Sequence, residues 1–380
     1  MSKVRGKLGM EVFDASVKRL YDEYAAGHRI VVGISGGKDS TVTLELAVIA
    51  AGMAGRLPVE ACIQDEEAAY PGTYEYVEQL AQRTDEVKVD WLVCNQAMVN
   101  KFNRGNPYWW VFDPQLDPGE WMRKPPSWAR TIPDKSMYTM INPRTFPVAE
   151  GQRLYACIGL RTSESVNRKF AVFSSGGHIA KPNSAGAWKL RPIYDWEDGD
   201  IWRAIKESKW AYNPAYDVFC RAGMRGKDLR IGPPTMAFAA LKCLRVAAQA
   251  WPTWFDRLCQ RCHGTRMAVN FGLRALTPQR KAGETWEQVF TRECIDKAVP
   301  WIRERSEFLR NRILTKHSSH STAPFPEVKP CYLCNYQGFG SWRVMAMKMF
   351  DGNPFSMGSH LLKDVPPEFF RAGAGDWEVA

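Results

Sequence analysis

The sequence predicts an α/β fold: a doubly wound, mostly parallel sheet followed by a mainly helical, basic, cysteine-containing C-terminal extension. Three observations carry this expectation. An apolar run at residues 30–34 ends in a glycine loop and passes straight into a helix-forming stretch. Strand and helix patterns then alternate, the signature of parallel strands joined by crossover helices. Beyond Tyr216 the chain turns mainly helical.

In order, Val17, Leu20, Tyr21 and Tyr24 recur at helical spacing over residues 14–26, and Gly27 offers a C-terminal stop. Residues 30–34 read as a buried strand, 35–40 as a loop and 41–51 as a helix. A second strand, 59–64, closes at Asp65, and the Pro71-Gly72 turn precedes a helix at 73–83. Residues 106–147 are rich in proline and in aromatics (Tyr108, Trp109, Trp110, Trp121, Trp128), which predicts an ordered insertion over the sheet whose tryptophans pack rather than stack on bases. Strands are expected again at 154–160, 170–174 and 189–193, then a helix at 198–208. Trp286, Val289, Phe290, Ile295, Val299, Ile302, Leu309 and Ile313 keep one apolar face over many turns, which is a packing face. The tail after Gly352 is expected to be loosely held. The domain expectation is an α/β domain at 1–220, with its insertion at about 104–147, and a helical module at 221–380.

With 380 residues, 45% of them hydrophobic and 24% charged, the chain can bury a full core and falls outside collagen-like and disordered classes. No run reaches the ~18 apolar residues of a membrane span, and residues 1–10 lack an apolar signal core. The expectation is a cytoplasmic protein with no membrane partner. The net charge of +10 is concentrated: residues 221–320 hold 19 basic and 8 acidic side chains, an excess of 11. Most are arginines, whose planar fork suits phosphate. Nucleic acid is therefore a partner class, with a solvated or internally paired surface as the plainer alternative.

The loop Ser35, Gly36, Gly37, Lys38, Asp39, Ser40 is the strongest local signal. Its glycines let backbone N–H groups approach phosphate oxygens, its serines add hydroxyl donors, and the following helix adds a positive dipole. Polyphosphate is the natural ligand. The loop is neither a Walker A sequence, since Val32 and Asp39 stand at the wrong places, nor a dinucleotide fingerprint.

This SGGKDS loop resembles the PP-loop of the ATP pyrophosphatases, the adenine nucleotide α-hydrolase group. Three further segments resemble the branch of phosphoadenosine phosphosulfate (PAPS) reductase. They are Gln64-Asp65-Glu66-Glu67 with the segment from Tyr70 to Tyr76, Gly159-Leu160-Arg161 through Glu164-Ser165 with Arg168, and Pro192-Ile193-Tyr194-Asp195-Trp196 with Asp200-Ile201-Trp202. The blocks at 121–126 and 212–217 resemble a larger subgroup carrying a helical extension. The resemblance implies that Ser35, Gly36, Gly37, Lys38, Asp39 and Ser40 bind phosphates, with Asp65 and Gly159 also at the nucleotide. Lys38, Asp39, Arg161, Glu164 and Arg168 are its implied catalytic set. Arg161 and Arg168 would neutralise phosphate or sulfate, and Glu164 would orient them, help hold Mg²⁺ or form a structural ion pair. The E-C-G-x-H sequence of PAPS reductases does not occur here.

Ten cysteines in a reducing compartment call for metal or packing roles. Cys259 with Cys262, and Cys331 with Cys334, form two C-x-x-C pairs, a spacing that suits four-thiolate zinc, with a [4Fe–4S] cluster or redox thiols as alternatives. Cys62, Cys94, Cys157, Cys220, Cys243 and Cys294 read as core packing, and the six histidines show no metal spacing. The functional expectation is an ATP- and Mg²⁺-using enzyme that adenylylates an acceptor and releases pyrophosphate, with sulfur transfer to a nucleic acid as its extension. Sulfonucleotide reduction and nucleotide sensing without turnover are the alternatives, and a protein partner is left open.

Overall fold

The computed structural model describes residues 11–132, 141–182, 186–333 and 338–352. Cys334 and the tail after Gly352 lie outside them. The strands are β1 (Arg29–Ile34), β2 (Val59–Asp65), β3 (Val87–Val93), β4 (Gln96–Val99), β5 (Tyr108–Val111), β6 (Arg130–Thr131), β7 (Leu154–Cys157), β8 (Ile179–Ala180) and β9 (Trp188–Leu190). The α-helices are α1 (Val12–Ala25), α2 (Lys38–Met53), α3 (Thr73–Ala81), α4 (Val166–Ser174), α5 (Asp198–Glu207), α6 (Ala215–Arg221), α7 (Leu241–Ala250), α8 (Pro252–Arg261), α9 (Thr265–Phe271), α10 (Trp286–Phe290), α11 (Pro300–Ser318) and α12 (Trp342–Met349). None is long and apolar enough to cross a membrane.

The chain forms two compact units. The first contains residues up to Gln96, Phe112–Pro234 and Val246–Trp251; the second contains Ala97–Val111, Thr235–Arg245 and the chain from Pro252 onward. The first holds a seven-stranded sheet in the order β6-β3-β2-β1-β7-β9-β8. All neighbours are parallel except β8 and β9, which run antiparallel. The expected fold class is thus the observed one. From β1 the chain builds outward through β2, β3 and β6, then returns to add β7 on the other side. That reversal between β1 and β7 creates a crevice at their carboxyl ends, where open α/β sheets bind ligands.

The helix α2 packs on β1 and β2 and is covered by α1 and α5. Val42, Leu44, Leu46, Ala47, Ala50 and Ala51 are accordingly buried around much of its circumference, and each fully buried leucine stabilises by about 1.5–3 kcal/mol. With α2 held firmly, its N-terminus is fixed at the crevice.

Two expectations are corrected. Residues 170–174 form the end of α4 and not a strand: Ser165 caps the helix by accepting the Arg168 N–H (3.1 Å), and a run of four apolar residues carries no period of its own to tell strand from helix. The apolar face over 286–313 is divided: α10 runs into a π-helical turn (Thr291–Asp296), and α11 starts afresh at Pro300. Val289, Phe290, Cys294, Leu309 and Ile313 still share one core with Phe325, Trp342 and Met345. This core belongs to the second unit, as does the two-stranded β4–β5 sheet. Of the insertion tryptophans, Trp109 and Trp110 are buried, Trp121 donates its Nε1–H to Asp113 O (3.0 Å), and the half-exposed Trp128 lies edge-on to Trp91.

Candidate functional site

Between β1 and α2 the chain must turn within a few residues. Gly36 sits at φ +69°, and a Cβ there would meet Thr73 Cγ2 at 2.7 Å. Asn213 braces the turn: its Nδ2 donates to Gly36 O (3.2 Å) and to Thr73 Oγ1 (2.9 Å). The Tyr216 hydroxyl accepts the Lys38 backbone N–H (2.9 Å). Ser35 and Ser40 face one another, Oγ to Oγ, at 3.3 Å. Across the crevice Gly159 follows β7, and a Cβ there would lie 2.6 Å from Asp39 O, so only glycine lets the two loops approach.

Four charges close the crevice. Lys38 Nζ is 3.3 Å from Asp39 Oδ2 and 3.2 Å from Asp198 Oδ1. Arg161 reaches the same two acids, with Nε 2.5 Å from Asp39 Oδ1 and Nη2 3.2 Å from Asp198 Oδ1. Lys38 and Arg161 are both buried. Arg168 pairs with Glu164; burial first, then the neighbouring Arg230 guanidinium, lowers its pKa from the ordinary value. Crowded guanidinium groups are relieved by an anion between them. These residues line a cavity of about 800 Å³ with Ser35, Gly37, Ser40, Gly159 and Tyr216.

An adjoining cavity of about 500 Å³ shares Gly33, Ser35, Ile158 and Ile231 with the first and is more apolar, lined also by Ile34, Ile63, Thr73, Tyr74 and Ile141. Gln64, Glu66 and Lys189 are among the polar groups that line it. Gln64 Nε2 is buried without a hydrogen-bond partner among the described residues, and burial, reinforced by Asp65, pushes the Glu66 carboxyl up to about 8.

The structure brings Ser35, Gly37, Lys38, Asp39, Ser40, Gly159, Arg161, Glu164 and Arg168 onto one cavity, with Gly36 forming the turn beside them. Asp65 lines neither cavity. It is fully buried, accepts the Trp91 Nε1–H (2.8 Å) and the Glu67 N–H (2.9 Å), and pairs with Arg123. Glu67 in turn accepts the Met122 N–H (2.9 Å), so the acidic strand end clasps the insertion. In the third motif Asp195 pairs with Arg19 (2.6 Å) and Asp200 accepts the Glu197 N–H (2.8 Å) at the start of α5. Asp198, which no motif singled out, faces the cavity together with Asp39, Glu164 and Glu197. Its signal was position: it is the first residue of a helix whose N-terminus follows the sheet. Arg230 was legible only as part of the basic segment.

In the second unit Cys334, the fourth member of the two expected cysteine pairs, lies outside the described residues. Cys331 gathers with His317 and His320, their ligand atoms all within 4.8 Å of one another, and Cys259 and Cys262 are not in that group. The expectation that the histidines lack metal spacing is corrected: His317 lies in the last turn of α11 and His320 three residues on, in the turn just past the helix end. Cys62, Cys94, Cys157, Cys243 and Cys294 are buried as expected, whereas Cys220 is exposed, since α6 ends there and Arg225 reaches back to its carbonyl (2.6 Å). Several arginines of the basic segment have partners within their own unit: Arg261 donates to Trp110 O (2.8 Å), Arg266 pairs with Asp256 (2.8 Å), and Arg292 pairs with Glu284 (2.7 Å).

Comparison with known proteins gives a family match: the phosphoadenosine phosphosulfate reductase domain covers residues 29–222. The uncharacterized protein YbdN of Escherichia coli (strain K12) is 29% identical over 256 residues, 62% of this chain; the chain thus spans 61% of that relative's length. Among solved structures, Candida glabrata FMN adenylyltransferase in complex with FMN and an ATP analogue is 13% identical over 54% of this chain and 58% of that one, with a TM-score of 0.37. The PAPS reductase of Candida auris, as a phosphate complex, is 13% identical over 58% of this chain and 88% of that one, with a TM-score of 0.32.

Proposed function

The chain belongs to the phosphoadenosine phosphosulfate reductase domain family, within the PP-loop or adenine nucleotide α-hydrolase superfamily, and from that premise we propose that it binds ATP in the crevice and transfers AMP to an acceptor. The carrying observation is the pairing of the two cavities: a charged, helix-capped end, where Lys38, Arg161, Arg168 and Arg230 face Asp39, Glu164, Glu197 and Asp198, opens beside a more apolar end with an amide donor that has no partner among the described residues. Adenine would enter the apolar cavity, where Gln64 Nε2 can donate to a ring nitrogen. The β and γ phosphates would meet the amides at the start of α2, Lys38 and Arg161.

In the step itself, an acceptor nucleophile attacks the α-phosphorus. Its new bond to AMP forms as the α–β phosphoanhydride bond breaks, and pyrophosphate leaves with the electron pair. Charge grows on the leaving group, and the helix N-terminus, with Lys38 and Arg161 once phosphate draws them from Asp39 and Asp198, would offset it. Stabilising such charge with preorganised donors is the main source of rate enhancement in reactions of this kind. Arg168 and Arg230 would hold the far end of the polyphosphate. Asp39 and Asp198 fit Mg²⁺ as hard oxygen donors; they would hold the ion once phosphate takes Lys38 and Arg161 from them. When bound, Mg²⁺ supplies further charge neutralisation. Ser35, Gly36, Gly37 and Ser40 would shape the cradle and Gly159 admit it, Asp65 would tie the insertion to the end of β2 through Arg123, and Glu164 would orient Arg168.

Nucleic acid is the acceptor class we propose, on the charge excess of residues 221–320, with a cytoplasmic setting and the division into 1–220 and 221–380 as its frame. For the extension, zinc is the proposed metal rather than a [4Fe–4S] cluster, since two imidazoles and one thiolate suit zinc, whereas such clusters take thiolates. Pyrophosphate release from Mg-ATP in the presence of RNA or DNA tests the reading. Thiol-dependent sulfite release from PAPS would support sulfonucleotide reduction instead, and tight ATP binding with no turnover would support sensing.

A further inference from the structure

His317, His320 and Cys331 form a donor set that the nucleotide chemistry does not use. His317 is buried in the last turn of α11, at 6% exposure, and its Nε2 lies 3.0 Å from Ala323 O. A carbonyl only accepts, so Nε2 carries the proton and Nδ1 presents its lone pair. An imidazole N–H given to a backbone carbonyl is the support that metal-bound histidines characteristically have. His320 Nε2 lies 3.6 Å from Cys331 Sγ. A tetrahedral zinc with sulfur at about 2.3 Å and nitrogen at about 2.0–2.1 Å separates those two donors by about 3.6 Å. The end of α11 is also the negative pole of its dipole, which favours a cation.

The surroundings are built. The Cys331 N–H donates to Gly340 O (2.9 Å), and the residue packs against the core of Leu309, Ile313, Phe325, Phe339 and Trp342. The His317 ring meets the Phe325 ring edge-on at 5.3 Å between centroids. One donor therefore comes from the last turn of α11, one from the turn that follows it and the third from the chain segment leading to α12, which is how a structural ion cross-links a small core.

We propose that His317, His320 and Cys331 hold a zinc ion that pins the end of α11 to the segment before α12. Among the described residues no further cysteine, histidine or carboxylate joins the three. The ion closes a loop between residues 320 and 331, and its affinity is linked to folding of this core.

Metal analysis of the full-length protein should find close to one zinc per chain. The apoprotein, titrated with Co²⁺, should show tetrahedral d–d absorption with a thiolate-to-metal charge-transfer band. Cys331→Ser should abolish that band, and His320→Ala should weaken metal binding by more than the about 10–100-fold that loss of an outer-shell partner costs. His320→Cys, which keeps a ligand, should retain the metal and strengthen the charge-transfer band; this variant separates ligand loss from misfolding. Cys259→Ser and Cys262→Ser should retain full metal content. The proposal is overturned by apoprotein that takes up neither Zn²⁺ nor Co²⁺, by unchanged metal content in Cys331→Ser and His320→Ala, or by metal loss in the Cys259 and Cys262 variants.

Discussion

Arg161 Nε lies 2.5 Å from Asp39 Oδ1, joining the loop after β7 to the first turn of α2 across the point where the sheet reverses direction. The same guanidinium reaches Asp198 at the start of α5 through a second nitrogen. One side chain thus holds the acids of two helices that open on the cavity. Lysine offers a point charge and no planar fork. Arg161→Lys should therefore weaken Mg-ATP binding at least about tenfold, or about 1.4 kcal/mol, and Arg161→Ala more, as read by calorimetry. Equal affinity in Arg161→Lys and the parent would show that the fork geometry has no part in binding.

Gly159 tests whether the two loops must touch. A methyl group there would meet the Asp39 carbonyl at 2.6 Å, and backbone atoms have little room to yield. Gly159→Ala should destabilise the protein by about 1–3 kcal/mol in urea denaturation, as overpacking does, and should reduce nucleotide affinity as well. An unchanged denaturation midpoint would mean that the loops separate without cost.

The loop Ser35 to Ser40 was legible because its glycines, serines and flanking apolar run each have a direct physical meaning in the chain. Asp195 and Asp200 were equally visible in a motif, yet they pair with Arg19 and cap α5, while the unremarked Asp198 faces the cavity. A motif marks what a fold needs, and sequence alone does not separate cap from ligand. Cys331 was visible as a metal ligand through its C-x-x-C spacing, whereas His317 and His320 were missed because proximity of a helix end to a later segment is a tertiary fact. Residues 170–174 were misread because a short apolar run fits helix and strand alike.

Glu66 gives a pH signature. Burial raises its carboxyl from an ordinary 4.5 to about 8, so the folded state favours the protonated form. The stabilisation this provides is complete below pH about 4.5 and is lost as pH rises through about 8. Glu66→Gln, which stays neutral, should match the parent near pH 4 and gain relative stability steadily up to pH 9. Parallel stability curves for the two proteins across that range would contradict the assignment.

Nucleic-acid binding through residues 221–320 should weaken with salt, with a log–log slope of about −0.7 to −0.9 per phosphate contacted. Arg261, Arg266 and Arg292 already have partners within the chain, so the slope should reflect few contacts and remain unchanged in Arg292→Gln. A slope that flattens in Arg292→Gln would show that this arginine leaves Glu284 to meet phosphate. No binding at low salt would remove nucleic acid as the acceptor class.

The proposed role of the amides and cations at the start of α2 is to hold the phosphates of ATP. Its most direct test is calorimetry of Mg-ATP against the parent and Lys38→Ala, with thermal melts run beside it. Lys38 is buried between Asp39 and Asp198, and Arg161 continues to bridge both acids when it is removed. The expected result is one-to-one binding by the parent, an affinity at least about tenfold lower, or about 1.4 kcal/mol, in the variant, and closely similar melting of the two. Identical ATP affinity in both proteins would contradict it.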